Sequence, residues 1–165
     1  MFNNTNFTAL KNVQGQTSQQ TDIVVRPGDR LKIVTENATR YLICGLSEIV
    51  LHRDNDLPAL EIDDRKEWYS WGQLHRENDQ PAVIIGAYKE WRCLGLLHRT
   101  RGPAIIYSDG SMAWYKYDEL SRTDGPAYIR KRYDGIDTYE YWVNGKRYSK
   151  FKFKLYKLLG VFNDL

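Results

Sequence analysis

The tripeptide Leu-His-Arg occurs at Leu51, Leu74 and Leu97, each copy 23 residues after the last. Each copy is followed by Pro-Ala: "LHRDNDLPALEI", "LHRENDQPAVII" and "LHRTRGPAIIYSDG". Self-similarity at a fixed period restricts a chain to one supersecondary unit, repeated and stacked on itself. Trp68, Trp91 and Trp114 recur with the same period, each 17 residues after its leucine. A fourth copy opens at Leu120 with "LSRTDGPAYI", and its hairpin is four residues longer, so Tyr141 takes the Trp position. In copies three and four the loop before Pro is one residue shorter. Length changes confined to loops are what stacked units tolerate.

The unit reads as a β-hairpin. In the third copy "PAIIY" is a β-prone run, "SDGS" carries an Asp-Gly pair favoured in tight turns, and "MAWYKY" is the return strand. The fourth copy repeats this with "AYIRKRY", a turn at Asp134-Gly135, "TYEYWV" and a second turn at Asn144-Gly145. One hairpin is marginal alone, whereas a stack pairs its backbone edges and buries a row of Trp rings. Of the 22 aromatic residues 17 are Tyr or Trp, which suits half-buried strands. The expected fold is therefore all-β, an array of stacked antiparallel hairpins. On this reading Trp91→Ala destabilises more than Trp68→Ala, because Trp68 lies nearer the start of the array.

Four segments follow. Residues 1–20 form an Asn-, Gln- and Thr-rich N-terminal arm. Residues 21–50 form a short meander, with "DIVV", "RLKIVT" and "TRYLICG" as strands and a turn at Pro27-Gly28. Residues 51–147 hold the four repeats, and 148–165 form a basic, aromatic cap. In the cap Phe151, Phe153 and Leu155 alternate with Lys as in a strand. Phe151, Leu155, Leu158, Leu159 and Phe162 also follow helical spacing, with Ser149 placed to cap the first turn. The longer pattern favours a helix, which could cover the last open sheet edge.

The meander phrase "VVRPGDRLKIV" resembles the opening of a LysM peptidoglycan-binding module, which implies two helices after it. The stronger resemblance is to the MORN repeat family. It rests on the period, "YSDGS" at Tyr107–Ser111, "YDG" at Tyr133–Gly135 and "WVNGKR" at Trp142–Arg147, and covers residues 51–147. The family's Gly-x-Gly dyads are replaced by "DGPA" or "ND-x-PA", which is closer to a divergent "LHR-x-x-GPA" repeat of tailed-phage and giant-virus proteins. That resemblance implies hairpin arrays used for binding and scaffolding, without shared catalysis.

Chemistry is sparse. His52, His75 and His98 share a repeat position, but one hairpin adds two strands at ~4.8 Å, so equivalent atoms lie roughly 10 Å apart along a stack. Zinc needs its ligand atoms ~2.0–2.1 Å from one ion, so neighbouring rungs cannot share it. The fourth copy has Ser121 there. Arg53, Arg76, Arg99 and Arg122 persist through all copies and are read as bonding an acid (Asp54, Asp56, Glu77 or Asp79) or a loop carbonyl to lock the turn before Pro. Asp63 and Asp64 are adjacent at a hairpin tip, where alternation points them apart. No catalytic, cofactor-binding or metal-binding residue is assigned, and no cofactor is expected.

Residues 146–165 carry six Lys/Arg against one Asp, while the remainder carries 18 basic and 20 acidic side chains. Most of the chain is thus a poor match for nucleic acid, and no nucleic-acid partner is expected. Cys44 and Cys93 are too few for a disulfide framework and read as core residues in a reducing compartment. Neither a signal peptide nor a spanning segment is legible. The expected function is a non-catalytic, virus- or phage-encoded scaffold in the virion or host cytoplasm, docking on a protein assembly. The alternatives are a membrane- or anion-binding module using Lys146, Arg147, Lys150, Lys152, Lys154 and Lys157, or an intracellular inhibitor of host defence.

Overall fold

The computed structural model describes residues 6–8, 22–24 and 27–162. Most of the N-terminal arm, Val25 of "DIVV" and the last three residues of the cap lie outside them. Ahead of the repeats run β1 (Asn6–Thr8), β2 (Asp22–Val24), β3 (Arg30–Val34), β4 (Thr39–Cys44) and β5 (Ile49–Leu51). The first two units supply β6 (Leu60–Ile62), β7 (Arg65–Glu67), β8 (Tyr69–Ser70), β9 (Gln73–Leu74), β10 (Val83–Ile85), β11 (Tyr88–Glu90), β12 (Arg92–Cys93) and β13 (Leu96–Leu97). Then come β14 (Ile105–Ile106), β15 (Met112–Ala113), β16 (Tyr115–Lys116), β17 (Glu119–Leu120), β18 (Tyr128–Arg130), β19 (Thr138–Val143), β20 (Lys146–Tyr148) and the helix α1 (Lys150–Leu158).

The fold is an open antiparallel sheet of stacked hairpins. Its eleven strands run in the order β3-β4-β6-β7-β10-β11-β14-β15-β18-β19-β20, with β5 added beside β4. Each inner unit also makes a second, smaller hairpin: β8–β9, β12–β13 and β16–β17. The unit is therefore two hairpins rather than the single one expected, and Trp68, Trp91 and Trp114 each stand at the junction between them. At both ends the two hairpins share one unbroken six-residue strand. β4 pairs β6 through Thr39–Arg40 and β5 through Leu42–Cys44, while β19 pairs β18 through Thr138–Glu140 and β20 through Tyr141–Val143. Among the described residues β1 and β2 pair with each other alone, so Asp22–Val24 of the "DIVV" run do not join the meander. The strands β4 and β5 stand where a LysM module would have helices.

The Pro-Ala pair is the fastener between rungs. Ala59, Ala82, Ala104 and Ala127 are all fully buried. The Ala82 N–H donates to Glu90 O at 2.7 Å, and its carbonyl accepts from Trp68 N at 2.9 Å. Ala104 and Ala127 accept from Trp91 N and Trp114 N at 2.8 Å each. With the backbone bonded in both directions and the methyl group out of reach of solvent, a larger side chain would have to displace packed neighbours.

The same ladder reveals an earlier rung. Tyr41 N donates to Ala59 O at 2.7 Å, and Tyr41 O accepts from His52 N at 3.1 Å, as Trp68 does from His75 N at 3.0 Å. Tyr41 thus occupies the Trp position of a rung that precedes Leu51. Trp68 is an interior residue, as buried as Trp91 at 7% exposure for both. The ranking expected between their substitutions loses its basis.

The far end closes on α1. Ser149 caps it as expected, its Oγ accepting from Lys152 N at 3.3 Å. The helix packs on the side-chain face of the last hairpin, not on the outer edge of β20: Val143, Phe153 and Phe162 are buried together with Tyr141, Tyr148 and Tyr156 around them. The Phe153 ring lies 4.9 Å from that of Tyr141.

Candidate interaction surfaces

Each repeat arginine performs three tasks at once. The guanidinium of Arg76 lies 3.8 Å above the Trp68 ring, that of Arg99 3.8 Å above Trp91, and that of Arg122 4.1 Å above Trp114. In the first rung Arg53 lies 3.5 Å above Tyr41. A cation over an indole face is attracted by the ring quadrupole, and the flat guanidinium also fills the stack. The Nη1 of each donates to its own loop's Pro carbonyl, at 3.0 Å for Arg53 and 3.3 Å for Arg76, Arg99 and Arg122. In Arg76 and Arg99 the remaining donors form a fork on a carboxylate of the preceding rung, whereas Arg53 meets Glu61 of its own unit at 3.2 Å. Arg76 holds Asp56 at 2.6 and 2.9 Å, and Arg99 holds Asp79 at 2.8 and 2.9 Å.

This explains the change in loop length. Copy three offers "TRGP" and so has no Asp for the next arginine. Arg122 turns instead to Asp124 of its own loop at 2.6 and 3.3 Å. In the short loops a Cβ on Gly102 would stand 3.0 Å from Arg99, and one on Gly125 3.1 Å from Arg122. Glycine lets the guanidinium lie close against the backbone there, where a Cβ would be tight and the arginine would have to give by a few tenths of an ångström. The row thus bonds both an acid and a carbonyl, as expected, though Glu77 serves a histidine and Asp54 serves Arg30 and His52 instead.

The histidines secure the tips of the small hairpins. Each tip has two left-handed residues: Trp71-Gly72, Leu94-Gly95, Tyr117-Asp118 and Asn144-Gly145, with φ at the first of 48°, 48°, 51° and 46°. Positive φ at both central positions is the type I′ signature, which favours Asn-Gly. Nδ1 of His52 accepts from Trp71 N at 3.4 Å, and Nδ1 of His75 from Leu94 N at 3.3 Å. With Nδ1 accepting, Nε2 carries the proton and meets Asp54 at 3.1 Å or Glu77 at 2.8 Å. In the fourth copy Ser121 Oγ accepts from Asn144 N at 3.0 Å. Asn tolerates this backbone, and a short hydroxyl suffices. His98 stacks on Tyr117 at 4.0 Å, as His52 does on Trp71 at 5.3 Å, but departs from the pattern in that its buried Nδ1 lacks a partner among the described residues.

The tips leave three large apolar side chains outside. Trp71 is 57% exposed, Leu94 56% and Tyr117 53%. They occupy equivalent turns of successive units, so they form a row with a spacing of roughly 10 Å. Nothing in the repeat period singled them out, because the small hairpin itself was not legible. The signal available was a Trp, a Leu and a Tyr recurring at the 23-residue spacing beside Gly or Asp.

Grooves of about 480 and 640 Å³ separate successive loops on the arginine side, the second lined by His98, Thr100, Arg101, Lys116 and Thr123 among others. Among the described residues no three His, Cys, Asp or Glu side chains gather as metal ligands, and no helix is long and apolar enough to cross a membrane. Asp63 and Asp64 are exposed at the turn between β6 and β7, as read from the sequence, and Cys44 is buried while Cys93 is half-buried. No family model, curated protein or solved structure matches this chain significantly.

The ladder makes stability depend on acid in two stages. Burial and the nearby Lys116 push the His98 pKa down, so the folded chain resists protonation that the unfolded chain accepts. Its contribution is complete above the unfolded value of about 6.5 and declines as pH falls below it. The forks of Arg76 and Arg99 hold Asp56 and Asp79 below the usual carboxylate range. Their contribution is present above the unfolded value of about 3.9 and is lost as pH falls through the folded value. Urea midpoints should therefore drift down from about pH 6.5 and drop steeply below about pH 4. In Asp56→Asn/Asp79→Asn the steep limb should flatten in part, since Asp54, Asp109, Asp124 and Asp134 are also held low, and an unchanged limb would dissociate it from the forks.

Proposed function

We propose that this chain is a non-catalytic, virus-encoded scaffold of the divergent "LHR-x-x-GPA" type that binds a protein of a larger assembly, such as a virion, through the row Trp71, Leu94 and Tyr117. One observation carries the reading. Large apolar residues stand at left-handed turn positions, which cost of order 1 kcal/mol or more each for side chains of this kind, and they are kept more than half exposed. The fourth copy has Asn144 at the same turn, the residue that folding alone would choose. Backbone strain spent on exposed Trp, Leu and Tyr is explained by recognition, where Trp and Tyr dominate binding energy. The repeat arginines and their partners Asp56 and Asp79, by contrast, are committed to the ladder.

Leu94→Asn separates binding from folding, because Leu94 is not part of a ring stack. The variant should keep or raise the urea midpoint, by up to about 1 kcal/mol of relieved strain. Together with Trp71→Asn it should no longer retain the protein that the wild-type chain captures at stoichiometric amounts from infected-cell lysate. Recovery of a particle component supports docking, and recovery of a host-defence protein converts the reading to an inhibitor. Equal capture by variant and wild type removes the row from the interface.

A further inference from the structure

The helix α1 has two apolar sides, and the fold uses one of them. Phe153 and Tyr156 turn inward, with Phe153 2% exposed in the cluster that closes the array. Phe151, Leu155, Leu158 and Leu159 fall at i, i+4, i+7 and i+8 on the other side, and they are 78%, 40%, 84% and 65% exposed. Val161, just beyond, is 51% exposed. At about 100° per residue Lys150 and Lys154 border this outward stripe on one side and Lys152 on the other. Lys157 is held at the base, its Nζ donating to Asp124 O at 2.8 Å. The helix contains four lysines and no acid, and exposed Lys146 and Arg147 precede it.

We infer that the outward face of α1 is a docking surface for an anionic lipid bilayer, on which the chain lies without spanning it. Charge decides the occupant. An apolar stripe with lysines on both flanks places its apolar groups at the level of the acyl chains while the ammonium groups reach lipid phosphates and carboxylates. A second copy would set the three flanking lysines against three, and the helix of nine residues spans roughly 14 Å, a short seam for helix pairing. The stripe lies outside the tip row of the small hairpins, so this inference and the proposed protein contact stand or fall separately.

Co-flotation of the full chain with phosphatidylcholine vesicles, with and without phosphatidylserine, tests it. Binding is expected to the anionic vesicles alone and to weaken as salt rises from about 0.1 M to 1 M, where the Debye length shrinks to about 3 Å. Each Lys→Gln at 150, 152 or 154 should lower affinity roughly fivefold. Phe151→Ser/Leu158→Ser should abolish binding with an unchanged thermal melt, since both side chains are exposed. Leu46→Ser, at a residue 90% exposed elsewhere, should bind as wild type. Equal flotation with neutral vesicles, flotation with neither, or anionic binding that survives Phe151→Ser/Leu158→Ser would each overturn the inference. So would a doubled solution mass that this double variant returns to monomer.

Discussion

Trp91→Ala should lower the unfolding free energy by about 3–5 kcal/mol and the melting temperature by on the order of 10 °C. Trp91 is 7% exposed and is held at three points. Its face carries the Arg99 guanidinium at 3.8 Å, its Nε1 donates to Asp79 O at 2.9 Å, and its backbone N–H donates to Ala104 O at 2.8 Å. Alanine keeps only the last. It opens a cavity, removes the donor from the Asp79 carbonyl, and leaves Arg99 with its fork but without the surface on which it lies. Trp68→Ala should match it to within about 1 kcal/mol, because Arg76 and Asp56 O repeat the same contacts at 3.8 and 3.0 Å. Urea melts of the two variants decide the length of the array. A markedly milder Trp68→Ala would mean that Tyr41 does not serve as a rung.

What the sequence made legible, and what it hid, follows from how each feature is encoded. The period, the Trp seam and the hairpin of each unit could be read because Leu-His-Arg and Pro-Ala recur at fixed places. The small hairpins could not, because their strands are two residues long and alternation has no room to register. Their turns also hide: only the last is Asn-Gly, while Trp71, Leu94 and Tyr117 stand where such turns favour Asn or Gly. The Tyr41 rung was masked by spacing. Eleven residues separate Tyr41 from His52, against seven between Trp68 and His75, because β4 continues past the junction into the hairpin with β5. The partner of Arg122 was beyond sequence reasoning for a different reason. Asp124 replaces an acid that copy three lacks, and that exchange becomes visible only when loops of adjacent rungs are side by side. The cap carried both a strand and a helix pattern, and the longer helical one with Ser149 at its start is the one that forms, but which of its two apolar sides faces the array is settled by packing alone.

Phe153→Ala should unfold the end of the array before the rest. Tyr141 holds the Trp position of the last rung, and no further arginine follows to cover it, so the Phe153 ring takes that place at 4.9 Å. Phe153 also lies 5.3 Å from Phe162, which in turn meets Tyr148 at 5.6 Å, so one side chain joins helix, last hairpin and chain end. Truncation of a buried Phe costs about 3–5 kcal/mol. In a linear stack each unit touches only its neighbours, so the loss stays where it occurs. Hydrogen exchange should show amides of 138–158 losing protection while those around Val83–Glu90 keep theirs. Substituting Trp91 should instead divide the stack in its middle and expose units on both sides. A Phe153→Ala variant that lost protection evenly from Thr39 to Leu158 would show a single cooperative block and would contradict a fold built by nearest-neighbour stacking.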